Sequence, residues 1–268
     1  MGFKTVKTAH KAEGEERGYR AALFHAAVYG ILTVCIILAW WIVCGVVRNE
    51  YVVPSFSSVL KEIGVLLGEK GFYTAFFSTL WRVARAFFVS LLPAVGVAVL
   101  GYLFPVFAKF FDPIIGALRS LPTAAILLIL LVWSTPDRAP VIVAFLALFP
   151  LLYTGTSAAL YSVDRELVQM CKVYRVPVMR RILKMYLPIA APYVVREAAG
   201  AISFALKLVV SAEIISYTYQ SLGGFLQDSQ IYTQTARMFA ITLIVIFVGV
   251  LFETLGTALA NAMRRRSE

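Results

Sequence analysis

The sequence predicts an all-α, polytopic membrane protein with about six transmembrane helices, because the apolar runs are too many and too long for a water-soluble core. Three observations carry this reading: the composition, the length of the apolar runs, and the placement of basic residues between them. Of 268 residues, 60% are hydrophobic and 15% are charged. The mean hydropathy is +0.80. A soluble domain carries about 45–50% apolar and about 25% charged residues, so lipid is the better solvent for this chain.

A helix crossing the ~30 Å hydrocarbon layer needs about 20 mostly apolar residues. It must be a helix, because lipid offers no partner to a backbone N–H or C=O. Candidate spans run over 22–47, 77–103, 113–134, 139–160, 188–217 and 236–262. Residues 1–21 read as a polar N-terminal tail, and 22–268 as one membrane domain. The first apolar run is too long for a signal-peptide core and has no small-residue cleavage site, so it reads as a retained anchor.

The net charge of +10 is distributed unevenly. Basic residues crowd the N-terminal tail, the stretch from Arg165 to Lys184, and Arg264, Arg265 and Arg266. The opposite segments, near 48–76, 135–138 and 218–237, hold only Arg48, Lys61, Lys70, Arg138 and Arg237. The positive-inside rule then places both termini in the cytoplasm, and this layout argues against nucleic acid as the partner of the positive charge. Trp40, Trp41 and Tyr51 fit an aromatic belt at one interface. In the segment 48–76, Val59, Leu60, Ile63 and Leu66 mark an amphipathic helix expected to lie along the membrane face.

Few chemical functions survive inspection. Cys35, Cys44 and Cys171 show no CxxC or metal spacing and read as packing residues. No metal site is expected. There is no GxxxxGK[ST] to cradle phosphates, and neither HExxH nor GxSxG is present, so the chain is not expected to be an enzyme.

The most informative segment lies between the fourth and fifth spans, at about 161–187. Leu167, Cys171, Tyr174 and Val178 follow helical spacing and set one apolar face beside a charged one. Pro177 marks a break. Such a helix either rests on lipid headgroups or inserts into a groove on a partner.

This segment resembles the EAA loop of binding-protein-dependent ABC importer permeases. Glu166 takes the acidic position, Cys171 a common alanine position, and Leu187-Pro188 close the motif. Arg175 stands where the family has glycine, and Pro177 is expected to supply the bend instead. Further features in matching order resemble the nitrate/sulfonate/taurine branch: Pro54-Ser55, Leu80-x-Arg82-Val83, Arg119-Ser120-Leu121-Pro122, Phe149-Pro150, Ala212-Glu213 and Ser221-Leu222-Gly223-Gly224. Ala86 replaces a frequent glycine, and Ser134 to Pro140 departs from a usual glycine-containing turn.

The resemblance implies a type I ABC importer permease fold with an EAA-like cytoplasmic coupling helix, in the inner membrane of a bacterial cell. It implies three partners: an ATPase subunit dimer, a solute-binding protein, and a second copy of the permease. ATP and magnesium would sit on the ATPase, with no cofactor in this chain. Glu166, Leu167, Cys171 and Tyr174 would fill the ATPase socket, Arg165, Lys172 and Arg175 its charged rim, with Pro188 closing the segment. Segments 48–76, 135–140 and 218–235 would receive the binding protein. The implied cargo is a small solute of the sulfonate, taurine, nitrate or thiamine-precursor kind.

Charges inside spans are expensive and default to functional hypotheses. Lys207, Glu213, Arg196 and Arg85 are therefore candidates for the translocation path, against a structural reading in which they pair internally. Arg82 and Arg85 also fit simple snorkelling toward the interface. The alternative to an importer is an ATPase-independent secondary carrier or channel, although no internal repeat of the kind such carriers show is apparent.

Overall fold

The computed structural model describes residues 30–31 and 34–267, and among them every regular element is helical. The N-terminal tail 1–21 and the start of the first expected span lie outside the described residues. The order is α1 (Val34–Val47), α2 (Phe56–Gly68), α3 (Lys70–Leu103), α4 (Pro105–Ser120), α5 (Thr123–Trp133), α6 (Ala139–Tyr161) and α7 (Arg165–Val173). Then α8 (Val178–Arg181) runs through a π-helical turn, Ile182–Tyr186, into α9 (Leu187–Ser216), followed by α10 (Leu222–Ile231) and α11 (Thr235–Ser267).

Four of these are long and apolar enough to cross a membrane: α3, α6, the continuous α8–α9 rod and α11. The short apolar α1 carries the described part of the first expected span. The expected third span, 113–134, is corrected. It is not one rod but the pair α4 and α5, which meet at 93°. The break falls at Leu121-Pro122, where Leu121 is extended (φ −67°, ψ 126°). Proline has no N–H to continue the ladder, and its ring pushes the preceding residue out of the helical region. The second span also starts earlier than expected, at Lys70, because Glu69 ends α2 and begins α3 in a single extended residue.

Packing centres on α3, α6, α9 and α11, which bury Val83, Leu148, Leu152, Leu206, Val209 and Ile241. Lipid tails are as apolar as leucine, so these helices gain little by leaving lipid and associate through close contact instead. The sequence supplies the means. Ala86, Ser90, Ala94 and Ala98 recur every fourth residue on the buried face of α3. At Gly256 of α11, an added Cβ would lie 2.2 Å from the Cβ of Ala199 on α9, so only glycine allows that approach.

The three segments expected on the outer side converge on one end of the bundle. Thr218 donates to the Pro136 carbonyl at 2.8 Å, and Thr235 donates to the Tyr51 carbonyl at 2.6 Å. Arg237 at the start of α11 grips Glu69 with both terminal nitrogens and lies 5.5 Å from the Phe225 ring centroid. Helix α2 is thereby fastened to α11. Trp40 turns inward, donating to the Pro54 carbonyl at 3.1 Å and packing on Phe56 and Phe239. Trp41 and Tyr51 are both exposed, as a membrane belt requires. Helix α7 follows the far end of α6, a 23-residue helix about 35 Å long.

Candidate functional site

Helix α7 is a short rod of nine residues bounded by local hydrogen bonds at each end. Asp164 caps its start by accepting from the Glu166 N–H at 2.8 Å. Glu166 in the first turn and Lys172 in the last complement the helix dipole. Arg165 opens the helix.

The end of α7 resolves the question posed by Arg175. The Arg175 N–H bonds the Lys172 carbonyl at 3.1 Å and the Val176 N–H bonds the Cys171 carbonyl at 3.0 Å. These two bonds form a Schellman stop, which needs a left-handed residue at its centre. Arg175 supplies it at φ 50°. The turn expected from Pro177 is therefore made two residues earlier by Arg175 itself, in the conformation a glycine would adopt without strain. Pro177 then starts α8.

Within α7, Val168 packs against the core and the Cys171 sulfur lies 3.5 Å from that of Met185. These side chains anchor the rod to the bundle. Leu167, Met170, Val173 and Tyr174 face outward, with Val173 77% and Tyr174 76% exposed. The structure thus divides the face read from the sequence: Cys171 turns toward the bundle, and Val178 belongs to the next helix. Met170 and Val173, which the sequence reading omitted, complete the exposed apolar surface. Spacing alone left them out because it does not show that the side carrying Val168 and Cys171 is the one that meets the bundle. Glu166, Lys172 and Arg175 are exposed around this surface, and Pro188 is exposed in the first turn of α9.

A closed charged network occupies the opposite end. Glu213 is fully buried near the C-terminus of α9. Its carboxylate accepts from Arg82 Nη1 at 3.0 Å, from Thr79 Oγ1 at 2.9 Å and from the Gly223 N–H at 3.2 Å. Arg82 also donates from Nε to Asp137 at 2.9 Å. Thr79 accepts from the Leu222 N–H at 2.9 Å. At Gly223, an added Cβ would meet the Glu213 Cβ at 2.3 Å, so α10 reaches α9 only through glycine. The network unites α3, the α5–α6 loop, α9 and α10, and it explains why Arg82, Ala212-Glu213 and Ser221-Leu222-Gly223-Gly224 stand out in the sequence.

The candidate path residues are therefore not equivalent. Glu213 is enclosed, and Arg82 is buried rather than snorkelling. Arg85 is partly exposed, 4.0 Å from Asp137, with a buried Nε that has no hydrogen-bond partner among the described residues. Arg196 and Lys207 lie on an exposed stripe of α9 with Gly200, Phe204 and Ser211. Neither makes an ion pair among the described residues.

With this geometry in place, comparison with known proteins is decisive. Residues 94–265 match the family described as binding-protein-dependent transport system inner membrane component. The chain belongs to that family. The matched region contains α7 and the α9–α10 half of the charged network. The taurine transport system permease protein TauC of Escherichia coli (strain K12) is 23% identical over 93% of each chain. The bicarbonate transport system permease protein CmpB of Synechococcus elongatus is 25% identical over 68% of this chain, and the match spans 64% of that relative's length. The fold agrees: an inward-facing MetNI methionine ABC transporter structure superposes with a TM-score of 0.62 at 17% identity, covering 70% of this chain and 93% of that one. The family is one of transport components rather than enzymes.

Proposed function

We propose that this chain is the membrane-spanning permease subunit of an ATP-binding cassette importer. The observation that carries the proposal is α7, a capped helix at one end of the bundle that exposes Leu167, Met170, Val173 and Tyr174. Exposed apolar surface of this kind, rimmed by Glu166, Lys172 and Arg175, suits a groove on a protein partner. That partner is an ATPase dimer holding the ATP and magnesium, and Arg165 and Pro188 flank its contact. Closure of the dimer pushes α7, and the α8–α9 rod passes the displacement into the bundle. A two-state element biased by differential binding is all that such coupling needs.

In this reading the α7 end faces the cytoplasm, as does each terminus. The opposite end, with α2, the α5–α6 loop and α10, receives a solute-binding protein. A second copy of the chain completes the path, so that Arg196 and Lys207 face water or the other copy instead of lipid. Glu213 acts as an anchor that fixes the outer loops, and Arg85 lies at the mouth. The relatives named for taurine and bicarbonate favour a small solute carrying an anionic oxygen group, which these cations would attract.

The test is co-purification from native membranes. The tagged chain should bring down a subunit that hydrolyses ATP, and Met170→Glu with Tyr174→Asp should abolish that capture without loss of the folded permease. An unsubstituted chain that retains no ATPase, or that transports without one, overturns the proposal.

A further inference from the structure

A cavity of about 310 Å³ opens between α3, α4 and α6, lined by Asp112, Arg119, Tyr153, Thr154, Ser157 and Tyr161 among others. Its volume lies at the small end of the range for ligand sites. Thr154 precedes the end of α6 by about two turns, or roughly 10 Å, and the lining continues to Tyr161 at that end, so the cavity opens toward the α7 end of the bundle.

The two charges of the cavity are not spent on one another. Arg119 Nη2 donates to Thr154 Oγ1 at 2.8 Å, and Tyr153 donates to Asp112 Oδ1 at 2.9 Å. Among the described residues neither makes an ion pair. Residues 109, 112, 116 and 119 share one exposed face of α4, so Asp112 and Arg119 stand about two turns apart. Their tips are drawn to adjacent residues of α6, Tyr153 and Thr154. A guanidinium with unused donors and a carboxylate with an unused oxygen thus converge on one small space. A pure anion would be held by Arg119 but repelled by Asp112. A solute bearing both signs satisfies both.

We propose that this cavity is a translocation-path site for a small zwitterion, its anionic oxygen head on Arg119 and its ammonium on Asp112. The inference rests on the importer reading and adds to it a substrate class and two specificity residues. Asp112 is the discriminating group, because it is the one acidic side chain in the lining.

The experiment is equilibrium binding of radiolabelled taurine and ethanesulfonate, which differ by the ammonium group, to the permease–ATPase complex in nanodiscs. Taurine should bind at least tenfold more tightly than ethanesulfonate. Arg119→Gln should weaken both at least tenfold, and Asp112→Asn should bring the two affinities within about twofold of each other. The ratio of the two affinities does not depend on the fraction of protein folded, so a poorly folding variant still reports. A preference for taurine that survives Asp112→Asn, an Arg119→Gln complex that binds as the unsubstituted one does, or an intact complex that binds neither probe overturns the site. Failure of the permease and ATPase to form a complex instead overturns the importer reading.

Discussion

Single residues at the two ends of the bundle are under opposite kinds of stress. Arg175 holds a left-handed backbone without being glycine, at a cost of about 1–2 kcal/mol. Arg175→Gly should therefore raise stability by about 1 kcal/mol, visible as a higher thermal midpoint of the detergent-solubilised protein. An unchanged or lower midpoint would show that the side chain repays its strain. At the other end the stress is electrostatic. Removing Arg82 strands Glu213 in a site with no solvent, and breaking a buried pair in this way costs about 3–5 kcal/mol. Arg82→Ala should destabilise by that amount, while Arg82→Ala with Glu213→Gln should recover a substantial part of it. Equal losses in the single and double variants would contradict the pairing. Glu213 was legible in the sequence as an expensive intramembrane charge. Its partner was not, since Arg82 lies 131 residues away.

Among the elements, the helices expected at 139–160 and 188–217 appear within a residue of their expected ends, whereas the helix expected from 77 begins at Lys70, where Glu69 breaks the chain. The run 113–134 reads as one span because its apolar content is continuous, yet Pro122 turns it by 93°. Helix α10 is positioned by the absence of a side chain at Gly223. Gly223→Leu should push α10 off α9, breaking the Gly223 N–H bond to Glu213 and costing about 1–3 kcal/mol as an overpacked contact. The readout is faster proteolysis in the 218–235 segment, and unaltered cleavage would show that the approach tolerates bulk. Helix α7 was visible from its amphipathic spacing. Which of its apolar residues remain exposed depended on Val168 and Cys171 being the side that meets the bundle.

For the whole molecule, the two ends differ in kind. One is braced by the Arg82 network and the Arg237 clamp, and the other presents α7, whose Cys171 meets Met185 in the π-helical turn that leads into α9. Such turns interrupt the regular ladder and recur at functional sites. The proposed orientation follows from charge and is directly testable. In a background lacking Cys35, Cys44 and Cys171, a membrane-impermeant maleimide should label Tyr219→Cys on intact cells. Tyr174→Cys should react only once the membrane is opened. The reverse pattern would invert the topology and remove α7 from reach of any cytoplasmic ATPase.

Local chemistry written along the chain was enough to determine the solvent, the helical class, most of the spans, and the existence of a helix near Arg165. Each depends on the transfer of nearby residues between water and lipid, a property that contiguous sequence carries. Only the tertiary structure decided that Glu213 is enclosed, that Cys171 faces inward, and that Asp112 and Arg119 share a cavity against α6. Those outcomes depend on distances between segments far apart in the chain, and in lipid they are selected by the close fit of small residues such as Ala199 and Gly256 rather than by hydrophobicity.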